Sequence, residues 1–258
     1  TASIMSKKLA EGIDGLILDV KTGSGAFMKK ISDAENLANS LINTAKAFNK
    51  NVIAFITDMN QPLGNFIGNW LEVYESIKVL QGEATGDLRE LSLALSGAMI
   101  YLGKKASSIE EGIEISSELI KNGQAFEKFV EIVKMQKGNV NVILHPDKYP
   151  KSKVIEKIYF KNGGFVKKID NYTVGICALE LGAGRKTKED KIDPKAGIIF
   201  KVKIGDYVKK GDLIAELHSS SKTKVDIVKK MLYNTIILTS EKVNKQKLIK
   251  KIIYDNRN

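Results

Sequence analysis

Cysteine is almost missing from this 258-residue sequence. The one cysteine, Cys177, excludes an intrachain disulfide. It sits in the apolar stretch 172–179 with nothing nearby to lower its pKa, so it reads as a buried core thiol. Histidine occurs only twice. Neither His145 nor His218 has acidic or cysteine partners at ligand spacing, which argues against a histidine metal centre and against catalysis by either. No apolar run approaches a membrane span, and no basic end, apolar stretch and small-residue cleavage site follow one another. The expectation is a cytoplasmic protein with no membrane segment. Acidic residues are outnumbered, 30 against 41 basic, for a net charge of +11. The excess is mostly lysine, scattered over helix faces and loops with no aromatic interleaving. It reads as a solvated surface with some attraction for phosphorylated ligands and no nucleic-acid partner.

What is present is ordinary for a globular chain, 43% hydrophobic and 28% charged, and long enough for more than one domain. Residues 1–28 carry the most information. They read as the end of a helix, a turn, a buried strand and a glycine loop. Ser3 and Lys7 stand four apart, so a hydroxyl and an ammonium share one helix face, with Ile4 beside them. Residues 15–20 (GLILDV) are nearly all apolar, as in a strand covered on both faces, and empty into Lys21-Thr22-Gly23-Ser24-Gly25. Ser32-Asp33-Ala34-Glu35 reads as a capping box. Ile31, Ala34, Leu37, Ala38, Leu41, Ile42, Ala45 and Phe48 then recur at helical spacing, and residues 51–56 form a second buried strand. Strand, helix and strand make a right-handed parallel crossover. Its ligand edge lies where the strands end, at loops 21–25 and 58–64. Asp19, Lys21 and Asp58 stand there as groups that orient a pocket.

Helices are expected at about 66–80, from Asp87-Leu88-Arg89-Glu90, from Ser108-Ile109-Glu110-Glu111 and at 125–135. Two of the four prolines, Pro146 and Pro150, break the pattern and mark a boundary. Beyond it lie short β segments at 154–160, 164–169 and 197–202, helical pattern at 172–181 and 226–233, and edge strands at 235–238 and 248–253. Residues 205–214 (GDYVKKGDLI) are similar to lipoyl and biotinyl carrier domains, but the lysine that carries the cofactor there has no counterpart.

Ser3-Ile4-Met5-Ser6-Lys7-Lys8, then 18–28 (LDVKTGSGAFM), then 57–64 (TDMNQPLG) resemble the pyrimidine-nucleoside and thymidine phosphorylases in order and spacing. The likeness continues through Gly68-Asn69, Leu71-Glu72-Val73 and 181–185 (LGAGR). It implies an α/β fold in three parts: residues 1–13 as the remnant of a small helical domain, 14–148 as a mainly parallel sheet with flanking helices, and 153–258 as an α+β half-barrel. It also implies phosphorolysis of thymidine, deoxyuridine or uridine, with phosphate as co-substrate, no required cofactor and a homodimer in the full-length form. Lys7 matches the lysine on a pyrimidine carbonyl and Ser3 the serine near N3; Ile4 and Phe27 match the apolar lining of the base pocket. A monovalent or divalent cation is implied on the carbonyls of Leu63 and Phe66 and the carboxylate of Glu75, since oxygen ligands suit a hard cation. The family's phosphate-binding residues match nothing from Thr1 onward. The expectation is therefore a fragment lacking the phosphate site and inactive alone. A non-catalytic folded module and a phosphoribosyltransferase of the related fold are the alternatives.

Overall fold

A computed structural model describes residues 1–83 and 86–254. The first half runs α1 (Ala2–Ala10), β1 (Gly15–Thr22), α2 (Ile31–Ala47), β2 (Asn51–Asp58), β3 (Phe66–Ile67), α3 (Asn69–Leu80), α4 (Asp87–Leu102) and α5 (Ile109–Lys121). Then follow α6 (Gln124–Met135), α7 (Val140–Leu144), β4 (Val154–Tyr159), β5 (Gly164–Ile169), α8 (Asn171–Ala178) and β6 (Gly197–Phe200). The chain ends with β7 (Tyr207–Val208), β8 (Leu213–Ser219), α9 (Lys222–Tyr233), β9 (Ile236–Thr239) and β10 (Ile249–Tyr254). It is an α/β protein, and no helix among the described residues is long and apolar enough to cross a membrane. Residues 255–258, the tail of the expected last domain, lie outside the described residues.

The chain forms two compact units, each drawn from separate stretches of sequence. The first comprises Thr1–Met59, Gly86–Leu119 and Lys247–Asn258. Its sheet has the order β1-β2-β10, with β1 and β2 parallel from Gly15 opposite Asn51 to Thr22 opposite Asp58. β2 is the central strand and is buried from Val52 to Asp58. Because side chains alternate along a strand, Val52, Ala54 and Ile56 join Ala34, Ala38, Leu41 and Ala45 of α2 on one face. Ile53 and Phe55 join Ala94, Ala98 and Ile109 on the other.

Three local expectations change here. Residues 248–253, read as an edge of the C-terminal half-barrel, instead pair antiparallel with β2. Ile249 and Ile252 pack on one face of this sheet and Ile253 on the other, so the strand continues both apolar layers. The capping box expected at Ser32 does not form: α2 begins at Ile31 with Lys30 at its cap and no side-chain cap bond. Glu35 is drawn instead to Lys251 Nζ at 3.0 Å. At α5 the box forms at Ser108 as expected, except that its glutamate reaches one residue further back. Ser108 Oγ accepts from the Glu111 N–H at 3.1 Å, while the Glu111 carboxylate accepts from the N–H of Ser107 at 2.6 Å.

The second unit comprises Asn60–Thr85 and Ile120–Gln246. It holds two antiparallel sheets, β3-β6-β8-β4 and β7-β5-β9. One core joins them with α8 and α9, including Ile158, Ile169, Leu181, Phe200, Leu217, Val228 and the buried Cys177. The helix expected from about Phe66 starts later, because Phe66 and Ile67 pair with β6 as a strand. Gly68 separates the two at φ +133°, where an added Cβ would meet the Ala196 carbonyl oxygen at 2.4 Å.

Candidate functional site

α1 is held chiefly by Met5, with Leu9 partly buried against the same core. Met5, 1% exposed, enters the core formed by α2 and β2, and Thr1 Oγ1 reaches Ser40 Oγ at 3.0 Å. Ser3, Ile4 and Lys7 are left on the exposed side, with Ile4 43% exposed. The side chains of Ser3 and Lys7 have no hydrogen-bond or ion-pair partner among the described residues. Neighbouring Lys8, by contrast, is engaged by Glu11 at 3.0 Å. The structure therefore leaves two donors one helical turn apart, rigidly backed and unspent.

The glycine loop after β1 folds back on its own strand end. The Gly23 N–H donates to the Met28 carbonyl at 3.2 Å and the Ala26 N–H to the Gly23 carbonyl at 3.1 Å. It is also tied to the end of β2: the Gly25 N–H donates to the Met59 carbonyl at 3.0 Å, and the Met59 N–H to the Thr22 carbonyl at 2.7 Å. Both strand ends thus form one rim. Phe27 projects from it, 93% exposed. Beneath the rim Asp19 accepts from Lys21 Nζ at 2.6 Å and from the Thr57 hydroxyl, while Asp58 is nearly buried against Lys250 Nζ at 3.1 Å. These carboxylates are neutralised by their own lysines, so they hold strand ends together and offer little free charge to a ligand.

The other candidate group lies in the second unit. Glu75, 6% exposed on α3, turns back onto the loop before β3 and accepts from the N–H groups of Asn65 at 2.7 Å and Phe66 at 3.2 Å. Leu63 stands in the same loop. Sequence reasoning missed the residue that joins them: Lys203 Nζ donates to the carbonyl oxygens of Pro62 and Gly64, each at 2.6 Å. Nothing in the sequence links positions some 140 apart, and the only local hint is a lysine just ahead of a Gly-Asp turn. No group of three or more His, Cys, Asp or Glu is assembled for a metal among the described residues.

A cavity of about 290 Å³ in this second unit was also not foreseen. Trp70 and Tyr149, stacked with ring centroids 3.9 Å apart, form part of its wall. Glu216 and His218 line it too, with His218 Nε2 closed to solvent, 3.9 Å from Glu216 Oε2 and without a hydrogen-bond partner. Burial holds the His218 pKa below its usual value, and the Glu216 carboxylate offsets part of that shift.

Residues 1–126 match the model of the glycosyl transferase family, a/b domain. Residues 165–239 match that of the pyrimidine nucleoside phosphorylase C-terminal domain. Among curated proteins, the chain is 42% identical over 254 residues to "Pyrimidine-nucleoside phosphorylase" of Staphylococcus aureus strain MSSA476. It is 43% identical over 252 residues to the protein of the same name from strain USA300. Each match takes in 98% of this chain and 58% of the relative, so the chain spans a little over half the length of these relatives.

Proposed function

We propose, for a chain that belongs to the pyrimidine-nucleoside phosphorylase family, that it supplies the base-binding part of a pentosyltransferase. The reaction is phosphorolysis of a pyrimidine nucleoside such as uridine, thymidine or deoxyuridine. A phosphate oxygen attacks the anomeric carbon, the bond from that carbon to N1 of the base breaks, and its electron pair leaves with the base. The products are the free base and a (2-deoxy)ribose 1-phosphate.

The observation that carries this reading is the unpartnered Ser3 and Lys7 pair on the exposed face of α1. As the glycosidic bond breaks, negative charge spreads over N3 and the two carbonyl oxygens of the pyrimidine. An ammonium on one carbonyl oxygen and a hydroxyl near N3 stabilise that charge more in the transition state than in the ground state. Both stand on a helix anchored by Met5, so their backbone positions are set before the charge develops. Ile4 and Phe27 serve as apolar lining against the ring. The same reading takes phosphate as co-substrate and places the full-length enzyme in the cytoplasm as a homodimer, which sedimentation of an upstream-extended form tests.

The deciding assay is phosphate-dependent release of uracil and thymine from uridine and thymidine, by this chain and by the upstream-extended form. In the active form Lys7→Ala is expected to lower kcat/KM by about 10²–10³, as loss of one donor to a developing anion does. Its melting temperature should not change, because the side chain is exposed and unpaired. A Lys7→Ala enzyme that turns over normally would remove the assignment.

A further inference from the structure

The loop 61–66 is where family resemblance implies a bound cation, and the chain has already filled that neighbourhood with groups of its own. Lys203 Nζ donates to the carbonyl oxygens of Pro62 and Gly64 at 2.6 Å each. Glu75 accepts the N–H groups of Asn65 and Phe66 from the other side. Gly64 is the residue between them. Its carbonyl takes the ammonium, and a Cβ built on it would meet Glu75 Oε2 at 2.3 Å. The next residue on the lysine's strand exit is tied to the same loop, since the Ile204 N–H donates to Gln61 Oε1 at 2.7 Å. We propose that the Lys203 ammonium is the counter-charge of buried Glu75 and organises loop 61–66 in place of a bound metal ion.

A carboxylate out of water needs a positive partner. An ammonium with three donors meets carbonyl oxygens as a small hard cation would. The residues fit a resident ion poorly. An ammonium already held by the Pro62 and Gly64 carbonyls repels a second cation brought to the same loop. Lys203 acts here as a positioning residue for the loop and is assigned no part in bond breaking.

Thermal unfolding of the chelator-dialysed chain in potassium chloride, calcium chloride and choline chloride at equal ionic strength tests this. The wild-type chain is expected to melt within about 1 °C in all three, and Lys203→Met about 5 °C or more lower in choline, regaining much of that loss in potassium or calcium. A wild-type chain that gains more than about 3 °C from either metal salt, or a Lys203→Met chain that melts like wild type in choline, overturns the proposal. Should Lys203→Met fail to fold in every salt, Lys203→Arg decides. It keeps the charge and must fold without dependence on either metal; a Lys203→Arg chain stabilised by potassium or calcium overturns the proposal as well.

Discussion

Replacing Gly64 by alanine separates two penalties that usually come together. Gly64 has φ +66°, a conformation that costs an L-residue about 1–2 kcal/mol. The new Cβ would also stand 2.3 Å from Glu75 Oε2 and 2.9 Å from its carboxyl carbon, far inside contact distance. Glu75 is buried on α3 and accepts two backbone N–H groups. It can move away only by giving up at least one of them, and a hydrogen bond to a charged group contributes about 1.5–3 kcal/mol. The sum is about 2.5–5 kcal/mol. Gly82 is the control, because it has φ +76° and nothing within 4 Å of where its Cβ would be. Gly82→Ala should therefore show the conformational cost alone, about 1–2 kcal/mol. Urea unfolding at a common slope reads both losses directly. The reasoning is refuted if the two variants lose the same stability to within about 0.5 kcal/mol, which would mean that the Glu75 carboxylate yields without cost.

Two further outcomes follow from other parts of the chain. Asp170 caps α8, accepting the Thr173 N–H at 3.3 Å and its hydroxyl at 2.6 Å, so Asp170→Ala should cost about 1 kcal/mol at neutral pH. The Thr173 hydroxyl, before the other contributions, holds the Asp170 carboxyl below its ordinary 3.8. A carboxyl depressed in the fold contributes stability above its unfolded pKa and loses it as pH falls through the folded one, so the gap between wild type and Asp170→Ala measured by urea unfolding should close below about pH 4. Cys177 is fully buried and burial pushes its thiol up to about 11, so a thiol reagent at pH 8 should leave the native chain unmodified and label one thiol per chain after unfolding.

How much of this was legible depends on the range over which each signal acts. The crossover of β1, α2 and β2 could be read because strand and helix periods are local, and the two faces of β2 match the alternation its sequence requires. The Ser3 and Lys7 pair was legible for the same reason: four residues is one turn, and Met5 between them settles which side faces the core. Residues 248–253 were just as clearly a strand. Their partner was not legible, since an apolar alternating segment fits any sheet edge with two covered faces, and β2 offered one. The Ser32 box failed on a similar point. A capping glutamate is also an anion, and Lys251 on β10 competes for Glu35 from 216 residues away.

Lys203 marks where local reading stops. A surface-rich set of lysines hides the one whose ammonium closes a loop, because composition counts it with the rest of the 41 basic residues. What distinguishes it is burial of its partners, and that emerges only when β6 lies beside β3 and the Phe200 N–H reaches the Asn65 carbonyl at 2.6 Å. That pairing lays the stretch after β6 along loop 61–66, so the loop's geometry is inherited from the sheet. The exposed donors of α1 are the opposite case: their shared face follows from their spacing and from one buried methionine, while the role proposed for them comes from the motif around them. The face a side chain occupies can thus be read from its own helix, while a residue that shapes a distant loop is read from the fold.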